Sequence, residues 1–466
     1  RDTLERLMRD NQHSTAFNRT LLDSLGPEAT LGLANNLAEL REAGDPHGTY
    51  ASLERALANG IGAATLDERF RSSWFREMER LGTEVVPGSA RRGYQVLAGL
   101  LEEGEGYSYP FLSQLTDMMI RADRDNPDMW DSNYFTGEDV PEVDDPIDRM
   151  LGIMGRHPDV ATRYFTDPSG GEWRLDYLLE ERDWPTANCL SHRDNVVTAE
   201  NDPPNSRAGL GLALEAAVRG EPAGAEVDCG DHTSAQQQVM DHLIEHYGGD
   251  TVEGVPVPPA MRVPLGRALA DYTPDTHQIL TGDYASQDTN PHQLIRFMRG
   301  VAEDPEAYAK MQELETAHIT ETITDAAGSP DALATAAREG GEVQGVYDEI
   351  RADVLEDQAE DSNRWNDEMF KHLVSEPVEH LPHLGGLAAD ILDVYLSDMA
   401  EQARTEAATE VAENCLASER QITLLVEEWA RAEGLDPDSP ELRDVKHQAQ
   451  GARFDGKERA AEALGR

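Results

Sequence analysis

Two patterns in this chain combine residue types and spacings that could do chemistry. The first is His242-Leu-Ile-Glu245-His246. In this H-x-x-E-H order, two histidines one helical turn apart hold zinc while the glutamate acts on the metal-bound water, which is zinc metallopeptidase chemistry. The second is a pair of Cys-x-x-His motifs, Cys189-Leu-Ser-His192 and Cys229-Gly-Asp-His232, which together supply the ligand types of a tetrahedral structural zinc site. The same cysteines could instead form a Cys189–Cys229 disulfide in an oxidising compartment, or stand as unlinked small residues. His232 could serve only to precede a helix opening near Thr233 and Ser234. Cys415 completes a set of three cysteines, too few for a disulfide framework, and leaves the redox compartment open.

Helical geometry weighs against the peptidase pattern. The apolar stripe of its helix is Met240, Leu243, Ile244 and Tyr247, and His242 and His246 project away from the centre of that stripe rather than into a cleft. A third group, Asp123, Asp125, Asn126, Asp128 and Asp131, has the acid density of a calcium loop. Pro127 breaks the alternation and Asp128 stands where the loop needs glycine, so a solvated acidic loop is expected. No serine nucleophile elbow, phosphate-cradling Walker loop or Rossmann fingerprint is present, and Gly209, Gly211 and Gly220 follow no strand. No motif requires a cofactor. The aromatic spots Trp173 to Tyr177 and Trp184-Pro185 read as core anchors between helices.

The elements that must position these residues are helices almost throughout. Leu66, Phe70, Trp74, Met78 and Leu81 form one apolar stripe, Leu112, Leu115, Met118 and Met119 a second, and Ile147, Met150, Leu151 and Met154 a third. Gly26-Pro27-Glu28 marks a helix start, and Gly44 closes the helix that Leu33, Leu37 and Leu40 define. Strand patterning is thin. The Val-rich stretch Val252 to Val263 is interrupted by Pro256, Pro258 and Pro259 and reads as a loop; Arg124 to Asp145 and Asn201 to Asp231 read as irregular. Beyond Gly328, Ala, Glu, Asp and Arg dominate around Val343, Val346, Tyr347, Ile350, Val354 and Leu355, which predicts long, paired helices, and the last polar residues are expected to fray. The expected organisation is an all-α chain with a helical unit at 1–200, a second at 201–328 and a helical C-terminal extension at 329–466.

Charge excludes whole classes of partner. Against 40 Lys plus Arg stand 90 Asp plus Glu, a formal charge of −50. Such a surface repels phosphate backbones and anionic lipid, so nucleic acid is not an expected partner. Lysine occurs only at Lys310, Lys371, Lys446 and Lys457, leaving arginine to carry the positive charge. The most apolar window, Leu384 to Leu396, contains Asp390 and Asp393 and is shorter than the roughly 20 residues a membrane span needs. The chain starts at Arg1 without a signal-peptide pattern, as a processed chain or an excised piece would.

Several stretches carry a family resemblance: Ala16-Phe17 with Leu25-Gly26-Pro27-Glu28, Gly106 with Phe111-Leu112, His157-Pro158-Asp159 with Phe165, Leu175-Asp-Tyr-Leu-Leu179 and Arg182-Asp-Trp-Pro185. Leu294-Ile-Arg-Phe-Met-Arg-Gly300 followed by Glu303-Asp-Pro-Glu-Ala-Tyr308 continues it. These resemble the helical, non-toxin regions of large actinobacterial proteins associated with the WXG100 (ESX, type VII) secretion system, including the DUF6571 group. The Trp-x-Gly turn of that system is missing here, and Tyr-x-x-x-Glu occurs at Tyr50/Glu54 and Tyr177/Glu181. The resemblance implies an all-helical carrier or scaffold module of a secreted or envelope-associated protein, in some cases ahead of a toxin domain, with a protein partner or other domains of the same polypeptide and no catalytic residues to transfer. The alternatives are a zinc metallopeptidase using His242, Glu245 and His246, and a subunit of an assembled extracellular particle.

Overall fold

The computed structural model describes residues 2–135, 142–190, 196–198, 203–282, 289–326, 329–358, 361–375, 388–389, 391–392 and 421–466. The fold is all-α, and the described chain divides between Ala223 and Gly224 into two compact units.

The first unit runs α1 (Asp2–Asn11), α2 (Thr15–Leu25), α3 (Pro27–Ala43), α4 (Thr49–Ala64), α5 (Glu68–Leu81), α6 (Gly93–Glu102), α7 (Tyr109–Asp125), α8 (Pro146–Met154), α9 (Pro158–Thr166), α10 (Gly171–Asp176) and α11 (Ala208–Arg219). Local chemistry sets the boundaries. The Asp67 carboxylate accepts from the Arg69 and Phe70 N–H groups and starts α5, which places Leu66 ahead of the helix and leaves it exposed while Phe70, Trp74, Met78 and Leu81 are buried as the stripe predicts. Phe75 stacks on Phe111 with centroids 5.7 Å apart, joining α5 to α7 in the core.

Several sequence expectations fail in this unit. Arg124–Asp145 is not wholly irregular: α7 runs to Asp125, a 3-10 turn (Pro127–Trp130) buries Trp130, and β1 (Ser132–Phe135) follows. β1 pairs parallel with β2 (Ala187–Leu190), and β2 pairs antiparallel with β3 (Val196–Thr198), a short sheet that period-2 patterning did not signal. The break expected at residue 200 falls instead after α11, which packs on α8 and α9. Gly209 and Gly211 hide that helix by lowering its propensity. A Cβ built on Gly209 would stand 1.8 Å from the Asp148 carbonyl, so glycine is what admits α11 against α8. Trp173, read as a core anchor, is 37% exposed, whereas Tyr177 and Trp184 are buried.

The second unit comprises α12 (Ser234–Gly248), α13 (Pro259–Asp271), α14 (Thr273–Thr281), α15 (Pro291–Val301), α16 (Pro305–Asp325), α17 (Pro330–Gln358), α18 (Ser362–Ser375), α19 (Gln421–Ala432) and α20 (Pro440–Ala463). The loop expected at Val252 to Val263 ends at Pro258, because Pro259 occupies the first helical position of α13, where its missing N–H costs nothing. No unit boundary falls at residue 328, since α17 packs on α16 and most extensively on α20. The C-terminus does not fray. Ala460 and Ala463 are buried, and the Arg466 guanidinium pairs with Glu349, Asp353 and Glu356 of α17. The predicted pairing of long helices is thus observed as α17 beside α20. Among the described residues no helix is long and apolar enough to cross a membrane; most of Leu384 to Leu396 lies outside them.

Candidate functional site

The Cys229–His232 motif is held in place by the junction of α13 and α14. α13 ends on Asp271, which is 2% exposed, and Tyr272 and Asp275 follow across the turn. The Asp271 carboxylate takes the Cys229 N–H on one oxygen at 3.3 Å and the His232 Nε2 on the other at 2.9 Å. His232 Nδ1 lies 3.8 Å from Asp275, and its ring stacks on Tyr272 with centroids 3.6 Å apart. Cys229 adopts φ 51°, an uncommon conformation for a side-chain-bearing residue, and its Sγ–H donates to the Ala270 carbonyl at 3.4 Å. Immediately after this clamp, Thr233 and Gln236 form a capping box that opens α12, as the sequence position of His232 suggested.

Electrostatics separates the two side chains. Burial alone would lower the His232 pKa, but hydrogen bonds and attraction to Asp271 and Asp275 overcome it and raise the pKa to about 9. Burial, reinforced by the charges of Asp271 and Asp228, pushes the Cys229 thiol up to about 12. A cysteine nucleophile must be a thiolate, and a thiol held this far up keeps its proton at neutral pH. The arrangement therefore acts as a brace: an imidazolium between two carboxylates locks the loop before α12 onto the α13–α14 corner.

The brace has a pH signature. A histidine pKa raised on folding contributes stability that is complete below the unfolded value of about 6.5 and is lost as pH rises through the folded value. His232 is expected to contribute a loss of roughly 2–3 kcal/mol to urea unfolding of the second unit between about pH 6 and pH 9.5, and His232→Gln to remove that share of the slope while leaving the share of His277, whose pKa is also raised. An unchanged slope in the variant would remove the clamp from the account.

His192 and Cys415 lie outside the described residues. Cys189 is placed only as a backbone position on β2, opposite Val197 of β3, while Cys229 is a free thiol. No group of three or more His, Cys, Asp or Glu side chains able to hold a metal ion occurs among the described residues. On α12 the stripe Met240, Leu243, Ile244 and Tyr247 is buried as predicted. Glu245 is exposed, His242 and His246 are half-buried, and His246 packs edge-on against Tyr247 with centroids 4.7 Å apart. The acidic run after α7 is not uniformly solvated either. Asp123 is 1% exposed and ion-paired, and Asp131 accepts the Thr186 N–H at 2.9 Å.

Two buried polar clusters escaped the sequence reading. In the second unit His277 of α14 meets Glu315 of α16 at 2.6 Å, with His318 edge-on at 4.9 Å. Burial depresses the His277 pKa, but the Glu315 charge and hydrogen bond, aided by Glu339 and Glu342, raise it overall. Burial, with the neighbouring His277 charge, lowers that of His318 against the pull of Glu315. In the first unit Arg182, with no side-chain exposure, pairs with Asp123 at 3.0 Å and with Asp145 at 2.7 Å. The Tyr177 hydroxyl donates to Asp123, and the Arg182 guanidinium lies 4.3 Å from the Trp184 ring centroid. Nearby, burial and the Asp145 charge push the Asp148 carboxyl up to about 7, against the Gly209 and Leu210 N–H groups it accepts at the start of α11. No sequence motif marks either cluster, because each joins residues from elements far apart in the chain.

No family model matches the chain, and no curated protein matches it. Among solved structures, an engineered protein is similar at 12% identity over 97% of this chain and 94% of its own length, with a TM-score of 0.27, a likeness too slight to carry an argument about fold or function.

Proposed function

We propose that the chain is a non-enzymatic interaction module, a carrier or scaffold portion of a bacterial secreted or envelope-associated protein that engages a protein partner or other domains of the same polypeptide. The observation that carries this reading is the use made of the reactive side chains. His232 and Cys229 brace a corner, His277 and Glu315 join α14 to α16, and Arg182 ties α7 to the start of α8. These groups hold helices together rather than converge on an open cleft. The formal charge of −50 adds a preference for a basic partner surface.

Metal analysis separates this reading from the peptidase. Mass spectrometry of the purified protein is expected to find no stoichiometric zinc in the unmodified chain or in Cys189→Ser. Zinc bound one-to-one and lost in His246→Ala would replace the module with a peptidase. Sedimentation supplies the second arm: a complex with its partner is expected at low ionic strength and should weaken at about 1 M salt, where the Debye length falls to about 3 Å.

A further inference from the structure

We propose that a groove between the first turn of α17 and the α19–α20 turn binds a small molecule with an apolar body and a cationic amine head. The cavity is about 420 Å³, within the usual range for small-molecule sites and well above the roughly 150 Å³ that admits benzene. Leu333 of α17, Trp429 of α19, and Leu442 and Val445 of α20 form its apolar surface, and Leu435, about half exposed, stands at its rim. The body of a ligand would gain chiefly from covering Leu435, since the other four side chains are at most 7% exposed.

The polar lining selects the head group. Asp436 and Glu441 contribute two exposed carboxylates, and Asp436 uses one oxygen on the Asp438 N–H at 3.0 Å. Ser329 and Ser439 also line the groove, and each cap oxygen accepts a first-turn N–H, from Ala332 and Leu442 respectively, both at 3.3 Å. Two helix N-termini open here and by themselves would favour an anion, each with about half a positive charge. Two full carboxylate charges outweigh them.

Calorimetric titration with phenylbutylamine, phenylbutanol and phenylbutyrate, alike in shape and different in charge, tests the assignment on the full chain. The amine is expected to bind about tenfold more tightly than the alcohol, and the carboxylate more weakly than either. Asp436→Asn combined with Glu441→Gln, both exposed and so harmless to folding, should bring the amine down to the level of the alcohol. Leu435→Arg, at the half-exposed rim, should abolish amine binding while leaving the urea midpoint unchanged. Absence of binding by all three probes overturns the proposal. So does preferential binding of phenylbutyrate, and so does amine binding that survives the Asp436/Glu441 substitutions, which would mark general attraction to an acidic surface.

Discussion

Replacing Gly345 with alanine is expected to destabilise the second unit by about 2–3 kcal/mol, the sign opposite to that of the same change in an open helix. α17 and α20 run in the same direction with Gly341 against Ala449 and Gly345 against Arg453. A Cβ on Gly345 would lie 2.1 Å from the Arg453 carbonyl, one on Gly341 2.2 Å from the Ala449 carbonyl, and one on Gly456 1.9 Å from the Glu342 carbonyl. Every obstructing atom is backbone, so no rotamer change relieves the clash and the helices must separate. Separation also loosens the ion pairs that Arg453 makes with Asp348 and Arg459 with Glu342. Gly451, on α20 with nothing within 4 Å of its built Cβ, is the internal control. Gly451→Ala should stabilise by up to about 1 kcal/mol through helix propensity alone. Urea midpoints of the two variants should therefore move in opposite directions, and a Gly345→Ala protein as stable as the parent would disprove the close crossing.

That crossing also shows where sequence reading stops. Apolar period identifies α5, α7, α8 and α12 because a helix packed through large side chains must repeat them along one face. A helix packed through glycines leaves no such trace: Gly341, Gly345 and Gly456 read locally as weak helix formers, yet they let the longest of the described helices dock against α20. Gly209 hides α11 for the same reason. Polar sites are legible to the extent that their partners are local. The capping box at Thr233 and Gln236 lies within one turn and was readable as a helix opening. The rest of the His232 clamp was not, because Asp271 and Tyr272 arrive from another helix and turn a ligand-like Cys-x-x-His into a brace. The acidic run failed similarly. Asp123 is an acid among acids in the sequence, and only the fold brings Arg182 to it from 59 positions away.

Arg182→Met is expected to be the most damaging single change in the first unit, costing about 3–5 kcal/mol at neutral pH, the usual consequence of removing one partner from a buried ion pair. Methionine fills much of the arginine's volume, so the loss reports charge rather than a cavity. Without the guanidinium, Asp123 and Asp145 remain at 1% and 7% side-chain exposure with no cation to balance them. Asp145 retains only the Ile147 N–H it accepts as the N-cap of α8, and Asp123 the Tyr177 hydroxyl. Asp148, already pushed up to about 7 with Arg182 opposing the rise, loses that restraint as well. The variant can recover by protonating these carboxyls, so its deficit should shrink as pH falls. Urea unfolding at about pH 8 and about pH 5 should therefore show a large loss at the first and a markedly smaller one at the second. Adding Asp123→Asn should restore part of the stability at the higher pH, since it removes one uncompensated charge while keeping an acceptor for Tyr177. An equal loss at both pH values, unrelieved by the second substitution, would mean that Arg182 acts through its packing on Trp184 instead.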